Sequence, residues 1–259
     1  MKSMRLPFAA GKLSWLVLIL GCFLLVTATT RAELIFADSF DYQKGLLDGM
    51  GPPPGSPPGQ GAWADFNGDP FVASSGLNFP GIFSSGNSAK IFSDSGDNGD
   101  KAVAALGPVT AEDGTAWVAF LVRRARGTFY PIGFAVVSLG NDVTAPSVGI
   151  GKLFNIRHYG LDNNTGERGA RSETDLIPDG DTVWLVTKLD FTTAQEYLWV
   201  NPSPETEPNI ADADASLPMT AEFLAAGFHE IVLKIGYVHA IYQFDELRVG
   251  TTFADVVSP

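Results

Sequence analysis

Trp184, Lys188, Asp190, Tyr197 and Trp199 are the residues whose types and spacing best suit a chemical task. They fall in two neighbouring runs, TVWLVTKLDF (Thr182 to Phe191) and EYLWVNP (Glu196 to Pro202), both dense in β-branched and aromatic residues. Thr192 to Gln195 reads as a hairpin loop, so Phe191 faces Glu196, Asp190 pairs with Tyr197 and Lys188 with Trp199. Side chains alternate along a strand. One face therefore carries Trp184, Val186, Lys188, Asp190, Tyr197 and Trp199. The other carries Val183, Leu185, Leu189, Phe191, Leu198 and Val200, and there Leu185 and Leu198 are expected to be buried between two sheets. Rings mixed with charges are what a sugar-binding surface needs, since rings stack on C–H faces while charged groups bond hydroxyls. The competing expectation is that loops cover this face and the rings simply pack.

Oxygen ligands for a hard cation are a second possibility. Asp94, Asp97, Asn98 and Asp100 lie in DSGDNGD, an acidic glycine-rich loop, and calcium takes several oxygens from a flexible backbone. The spacing is not that of the twelve-residue calcium loop, and a solvated turn competes. Asp65, Asn67 and Asp69 form a smaller cluster of the same kind. Asp245 and Glu246 suggest metal binding or acid–base work. The plainer expectation is that they accept backbone or hydroxyl hydrogen bonds that lock the last strand to the first. Strict alternation would put Phe244 and Leu247 on opposite faces, and a bulge between them is the simple remedy.

Nucleophilic chemistry finds little support. His158, His229 and His239 show no metal-ligand spacing, and no Gly-x-Ser-x-Gly elbow occurs. Glu205 and Glu207 sit in proline-rich coil. The run Arg123-Arg124-Ala125-Arg126 reads as a solvated strand end, and Asn163-Asn164-Thr165 as an exposed loop.

The first residues read as an export leader. Lys2, Arg5 and Lys12 precede the apolar stretch Leu13 to Val26, and Thr30-Arg31-Ala32 suits cleavage after Ala32. The apolar stretch is short for a membrane span, which needs ~20 residues. Residues 1–32 are therefore expected to be a helical signal peptide, and residues 33–259 one secreted, extracellular or periplasmic domain. Cys22 is the only cysteine and lies in the leader, so the mature domain has no thiol for catalysis or zinc. The chain carries 17 basic and 29 acidic residues, a net charge of −12. That balance argues against nucleic acid, which needs a basic surface. It suits bound cations or plain solubility.

The elements around these residues read as an all-β fold. Short strands alternate with Gly, Pro, Asn and Asp, and Thr220 to Gly227 is the one plausible helical turn or two. Gly49 to Gly61 (GMGPPPGSPPGQG) is a loop. Strands are expected at Leu34–Phe36, 62–66, 76–79, 89–93, 115–123, 132–139, 147–151, 154–159 and in the four closing runs at 182–191, 196–202, 229–237 and 241–250. That number suits a two-sheet antiparallel jelly-roll sandwich.

The closing run Phe244-Asp-Glu-Leu-Arg-Val-Gly-Thr-Thr-Phe-Ala-Asp-Val256 carries a resemblance, supported by Asp38, Phe40, Tyr42, Trp63, Leu77, Phe79 and Pro80. So do Ser147-Val-Gly-Ile-Gly-Lys152 and Leu198-Trp-Val-Asn-Pro202. Together they resemble the concanavalin A-like (LamG-type) domain of a group of uncharacterised secreted bacterial proteins. Relatives of that group often carry a Pro-Glu-Pro sorting tail, which does not follow the domain in this sequence. The resemblance implies fold and compartment more than activity. Laminarinase-type enzymes of the superfold present Glu-x-Asp-x-x-Glu on one strand, and this sequence has no such string. The expectation is a non-catalytic module binding carbohydrate or another extracellular partner. A glycan-active enzyme and a structural envelope protein are the alternatives.

Overall fold

The computed structural model describes residues 32–84, 86–93, 100–127, 133–142, 147–163, 171–175, 180–236 and 240–257. The signal-peptide helix and its cleavage site fall outside them. The strands in chain order are β1 (Leu34–Asp38), β2 (Gly45–Leu46), β3 (Ala64–Asn67), β4 (Phe71–Ala73), β5 (Ser88–Ser93), β6 (Lys101–Val109), β7 (Thr115–Gly127) and β8 (Phe134–Gly140). They continue with β9 (Val148–Lys152), β10 (Tyr159–Asp162), β11 (Arg171–Glu173), β12 (Val183–Asp190), β13 (Gln195–Val200), β14 (Ala215–Pro218), β15 (Phe228–Gly236) and β16 (Ala240–Gly250). Two short helices, α1 (Ala221–Ala226) and α2 (Phe253–Val257), complete the described elements.

These strands form a two-sheet antiparallel β-sandwich. The nine-stranded sheet runs β14-β13-β12-β7-β16-β5-β4-β2, with β1 also on β16. The seven-stranded sheet runs β11-β10-β9-β8-β15-β6-β3. One edge of β16 is shared in tandem: β5 pairs its first half, from Ala240 to Phe244, and β1 its second, from Leu247 to Gly250. Alternation supplies the core between the sheets. Phe120, Val122, Leu185, Leu198, Phe244 and Val249 point inward from the larger sheet, and Val137, Ile150, Ile231, Leu233 and Ile235 from the smaller.

The closing strands were legible as strands, but their register differs from expectation. Lys188 pairs with Tyr197 and Asp190 with Gln195, so the turn is at 191–194. The slip is two residues, a full side-chain period, so every residue keeps its expected face. The bulge in the last strand is present between Asp245 and Arg248, with Glu246 at φ 47°. It lets Phe244 and Leu247 both enter the core. Thr220 caps α1 by accepting from the Phe223 N–H at 3.1 Å. Residues 49–61 contain no helix or strand. Gly76 to Phe79 is not a strand; it lies between β4 and β5, and Phe79 makes only an isolated bridge with Ile82. Residues 154–158 are mostly turn, with β10 beginning at Tyr159.

Candidate functional site

Trp184, Val186, Tyr197 and Trp199 share the outer face of the larger sheet, as alternation requires, and the face is closed. Trp184 is 1 % exposed and Trp199 3 %. Trp117 stacks on Trp199 with ring centroids 5.7 Å apart, Phe253 of α2 meets Trp117 edge-on at 5.4 Å, and Phe79 lies 5.8 Å from Trp184. With Leu77, Leu121 and Val256 these residues form a second hydrophobic core outside the sandwich. The expected open ring platform is thus corrected. So many rings on one face carry a large transfer energy when covered, and Leu77–Ile82 and α2 cover them.

The charged members of that set have structural partners. Lys188 places its Nζ 5.1 Å over the Trp117 ring and 3.5 Å from Glu207 Oε1. Asp190 Oδ1 accepts from the Thr192 and Thr193 N–H groups, both at 3.0 Å, and holds the hairpin turn.

Asp245 accepts a backbone and a hydroxyl hydrogen bond, as expected, but fastens a different segment from the one expected. The first strand is joined to the last by the β1–β16 ladder itself. Asp245 Oδ2 accepts from Leu77 N at 2.8 Å and Ser84 Oγ at 2.9 Å, and so straps residues 77–84 onto the outer face. Burial pushes its carboxyl up to about 7, against the hydrogen bonds from Leu77 and Ser84 and together with the Glu246 charge. Glu246, nearly buried, faces Arg248 with Oε2 3.5 Å from Nη2. The pair lines a small pocket with Ile82, Phe83 and Trp184. Asp245→Ala should cost about 1–3 kcal/mol by orphaning a buried N–H. It should also expose the strap, whose Phe83 is already 69 % exposed. Urea denaturation and chymotryptic cleavage at Phe83 check this. Unchanged stability together with unchanged cleavage would refute the strap.

Of the calcium candidates, Asp94, Asp97 and Asn98 lie outside the described residues. Asp100 Oδ2 accepts from Phe92 N at 3.0 Å. Among the described residues no group of three or more His, Cys, Asp or Glu side chains could hold a metal ion.

The strap divides the outer face, and beyond it lies a half that the sequence did not reveal. Cross-strand pairing lines up Leu46, Phe71, Lys90, Gln243 and Arg123 on β2, β4, β5, β16 and β7. Their neighbours Val72, Ala89, Phe244 and Val122 face the core, so this row faces out. The five strands span about 19 Å at ~4.8 Å per strand. Leu46 is 55 % exposed and Phe71 half-buried, and Phe92, next on the same face of β5, is 39 % exposed and opposite Ile241. Lys90 Nζ sits 5.5 Å over the Phe71 ring. Gln243 is the buried floor. Its Oε1 accepts from Arg123 Nη2 at 2.7 Å and Nε at 3.2 Å. Its Nε2 donates to Ser88 Oγ at 3.0 Å and to Ser75 O and Oγ just before the strap, both at 3.4 Å, so the edge of the strap helps to bury it. Half-exposed rings and cations thus stand on a rigid, hydrogen-bonded sheet. Reading this row required pairings among five strands scattered from residue 45 to residue 250, which no local pattern supplies.

Other buried ionisable groups are sealed. Lys234 Nζ donates to Ser138 Oγ at 3.3 Å, and Ser138 Oγ donates to Ser147 Oγ at 3.0 Å. Burial, with the Lys101 charge, lowers Lys234 to about 8. Lys152 donates to the Gly133 carbonyl, and burial lowers it to about 7. Glu196 is fully buried on the core face of β13.

Fold and faces together define a two-sheet antiparallel β-sandwich module. No family model matches the chain, and no curated protein matches it. Among similar solved structures is a receptor binding domain at 12 % identity and TM-score 0.48, covering 88 % of this chain and 50 % of that one. Another is the binding domain of botulinum neurotoxin DC in complex with SialylT, at 12 % identity and TM-score 0.43, covering 73 % of this chain and 45 % of that one. A third is a carbohydrate esterase from the Shiga toxin-encoding bacteriophage phi24B, at 10 % identity and TM-score 0.48, covering 73 % of this chain and 89 % of that one. The chain spans about half the length of the two binding domains it matches. Likeness at this level carries no argument about a ligand.

Proposed function

We propose that the chain is a secreted, non-catalytic sandwich module of the concanavalin A-like type, and that it binds carbohydrate through the open half of the outer face. The observation that supports this reading is the row Leu46, Phe71, Lys90, Gln243 and Arg123 with Phe92 beside it. Rings that stay half-exposed on the sheet match the C–H faces of sugars, and the adjacent cations Lys90 and Arg123 match hydroxyls, while the buried Gln243 amide holds Arg123 in place. The rings of the closed half serve stability instead.

A glycan array tests the reading, run with calcium and again with chelator because calcium at Asp94, Asp97, Asn98 and Asp100 remains part of the proposal. Phe71→Ala and Phe92→Ala should each weaken binding by about 1–3 kcal/mol, taking ring stacking on nucleic-acid bases as the guide. Their stability loss should be small, since neither ring is in the core. Binding that survives both substitutions unchanged would defeat the assignment.

A further inference from the structure

We infer that the open face takes an anionic polysaccharide, two of whose acidic groups about one disaccharide apart meet Lys90 and Arg123. This rests on the carbohydrate reading above and specifies its ligand class. The chain as a whole is strongly acidic, with 29 acidic against 17 basic residues. The row on the open face runs against that balance, since it carries Lys90 and Arg123 and no carboxylate. Neither cation is ion-paired with a carboxylate among the described residues. Lys90 lies over the Phe71 ring, and Arg123 donates to the neutral amide oxygen of Gln243.

Half-buried cations without counter-ions on an acidic protein leave a local positive field that an anionic ligand can satisfy. Carboxylates do approach the row: Asp69 precedes β4, Asp100 accepts from the Phe92 N–H, and Asp245, two residues past Gln243 on the same face of β16, is engaged by Leu77 N and Ser84 Oγ of the strap; all three lie off its line. Lys90 and Arg123 are two strands apart, with Gln243 between them. At ~4.8 Å per strand that is about 10 Å, close to a disaccharide repeat, so a chain lying across the strands would offer alternate acidic groups to the two cations. Phe71 and Phe92 would stack on the sugars between. The guanidinium of Arg123 still has donors to spare and suits bidentate contact with a carboxylate or sulfate.

The test uses the full chain and oligogalacturonate, compared by calorimetry with the same oligomer fully methyl-esterified, and a sulfated polysaccharide as a second acidic probe. The acidic probes should bind at least about tenfold more tightly than the ester, since two charge-assisted hydrogen bonds are at stake. Affinity should also fall as salt rises. Lys90→Gln and Arg123→Gln should each weaken binding of the acidic probes severalfold more than binding of the ester, and Arg123→Gln should also lower the thermal midpoint because it orphans the buried Gln243 Oε1. Equal affinity for acidic and esterified forms would overturn the anionic inference and leave the carbohydrate reading standing, provided Phe71→Ala still weakens both. Absence of binding to every acidic probe and to the ester would overturn the inference, and with an empty glycan array the carbohydrate reading too. A preference that survives both glutamine variants would place the anion elsewhere and overturn it as well.

Discussion

Trp184→Ala lowers the free energy of unfolding by about 3–5 kcal/mol, the cost of deleting a large ring from a packed interior. The site is the second hydrophobic core, where Trp184 lies against Phe79 and Phe253. None of these groups belongs to the inter-sheet core, and the ring is held by segments far apart in sequence. Leu77–Ile82 comes from the strap and Phe253–Val257 from α2. Removing the indole empties a space that the hydrogen-bonded sheet below cannot fill by collapse. Urea denaturation followed by circular dichroism measures the loss. A loss under about 1 kcal/mol would mean that the cover is loose and the rings are available to solvent after all. Trp184→Phe, which keeps an apolar ring, should lose much less.

Glu196→Met stabilises the domain by about 1–4 kcal/mol at pH 8, the range found when buried ionic groups give way to packed apolar ones. Glu196 lies on the core face between Leu189 and Leu217, fully buried, and among the described residues neither carboxylate oxygen has a hydrogen-bond partner. Burial raises its pKa well above the ordinary 4.5, and the charge of Asp162 adds to the rise. The folded state therefore keeps a proton that the unfolded chain releases above about 4.5. Its contribution is fully present below that value and is lost as pH rises toward the higher folded pKa. Wild-type stability should accordingly decline from pH 4.5 upward, and Glu196→Gln should flatten the decline. Urea midpoints from pH 4 to 8 decide it. Parallel curves for wild type and Glu196→Gln would rule out Glu196 as the group responsible.

Alternation carried the sequence reading a long way. It assigned both faces of β12 and β13 correctly, and the conflict between Phe244 and Leu247 announced the bulge. By the same rule Glu196 shares the core face with Leu198, a placement absent from the sequence expectation because a glutamate is seldom buried without a partner. Lys101–Val109 was missed because its alanines, Gly107 and Pro108 carry weak strand preference, so its place beside β15 is fixed by pairing alone. Ala215–Pro218 was missed for the same reason. The closure of the Trp184 face was not legible because its lid comes from residues about a hundred positions before it and seventy after it. The open row was hidden similarly, since pairing Leu46 with Phe71 and Lys90 with Gln243 is a tertiary fact.

The tandem use of β16 has a consequence for how the domain forms. Leu34 pairs with Gly250, and Glu33 N donates to Thr251 Oγ1 across a separation of 218 residues. Closing so long a loop is entropically costly, and topologies dominated by distant pairings fold slowly. Because both ends of the sandwich meet at one place, a circular permutant is geometrically natural. A short linker would join residue 257 to residue 33, with new termini opened in the proline-rich loop near Gly55. That permutant makes the β1–β16 pairing local and, in exchange, makes the β2–β4 pairing and the bonds of residues 37–50 to residues 60–72 distant. It should keep the same sandwich with one long-range closure exchanged for another.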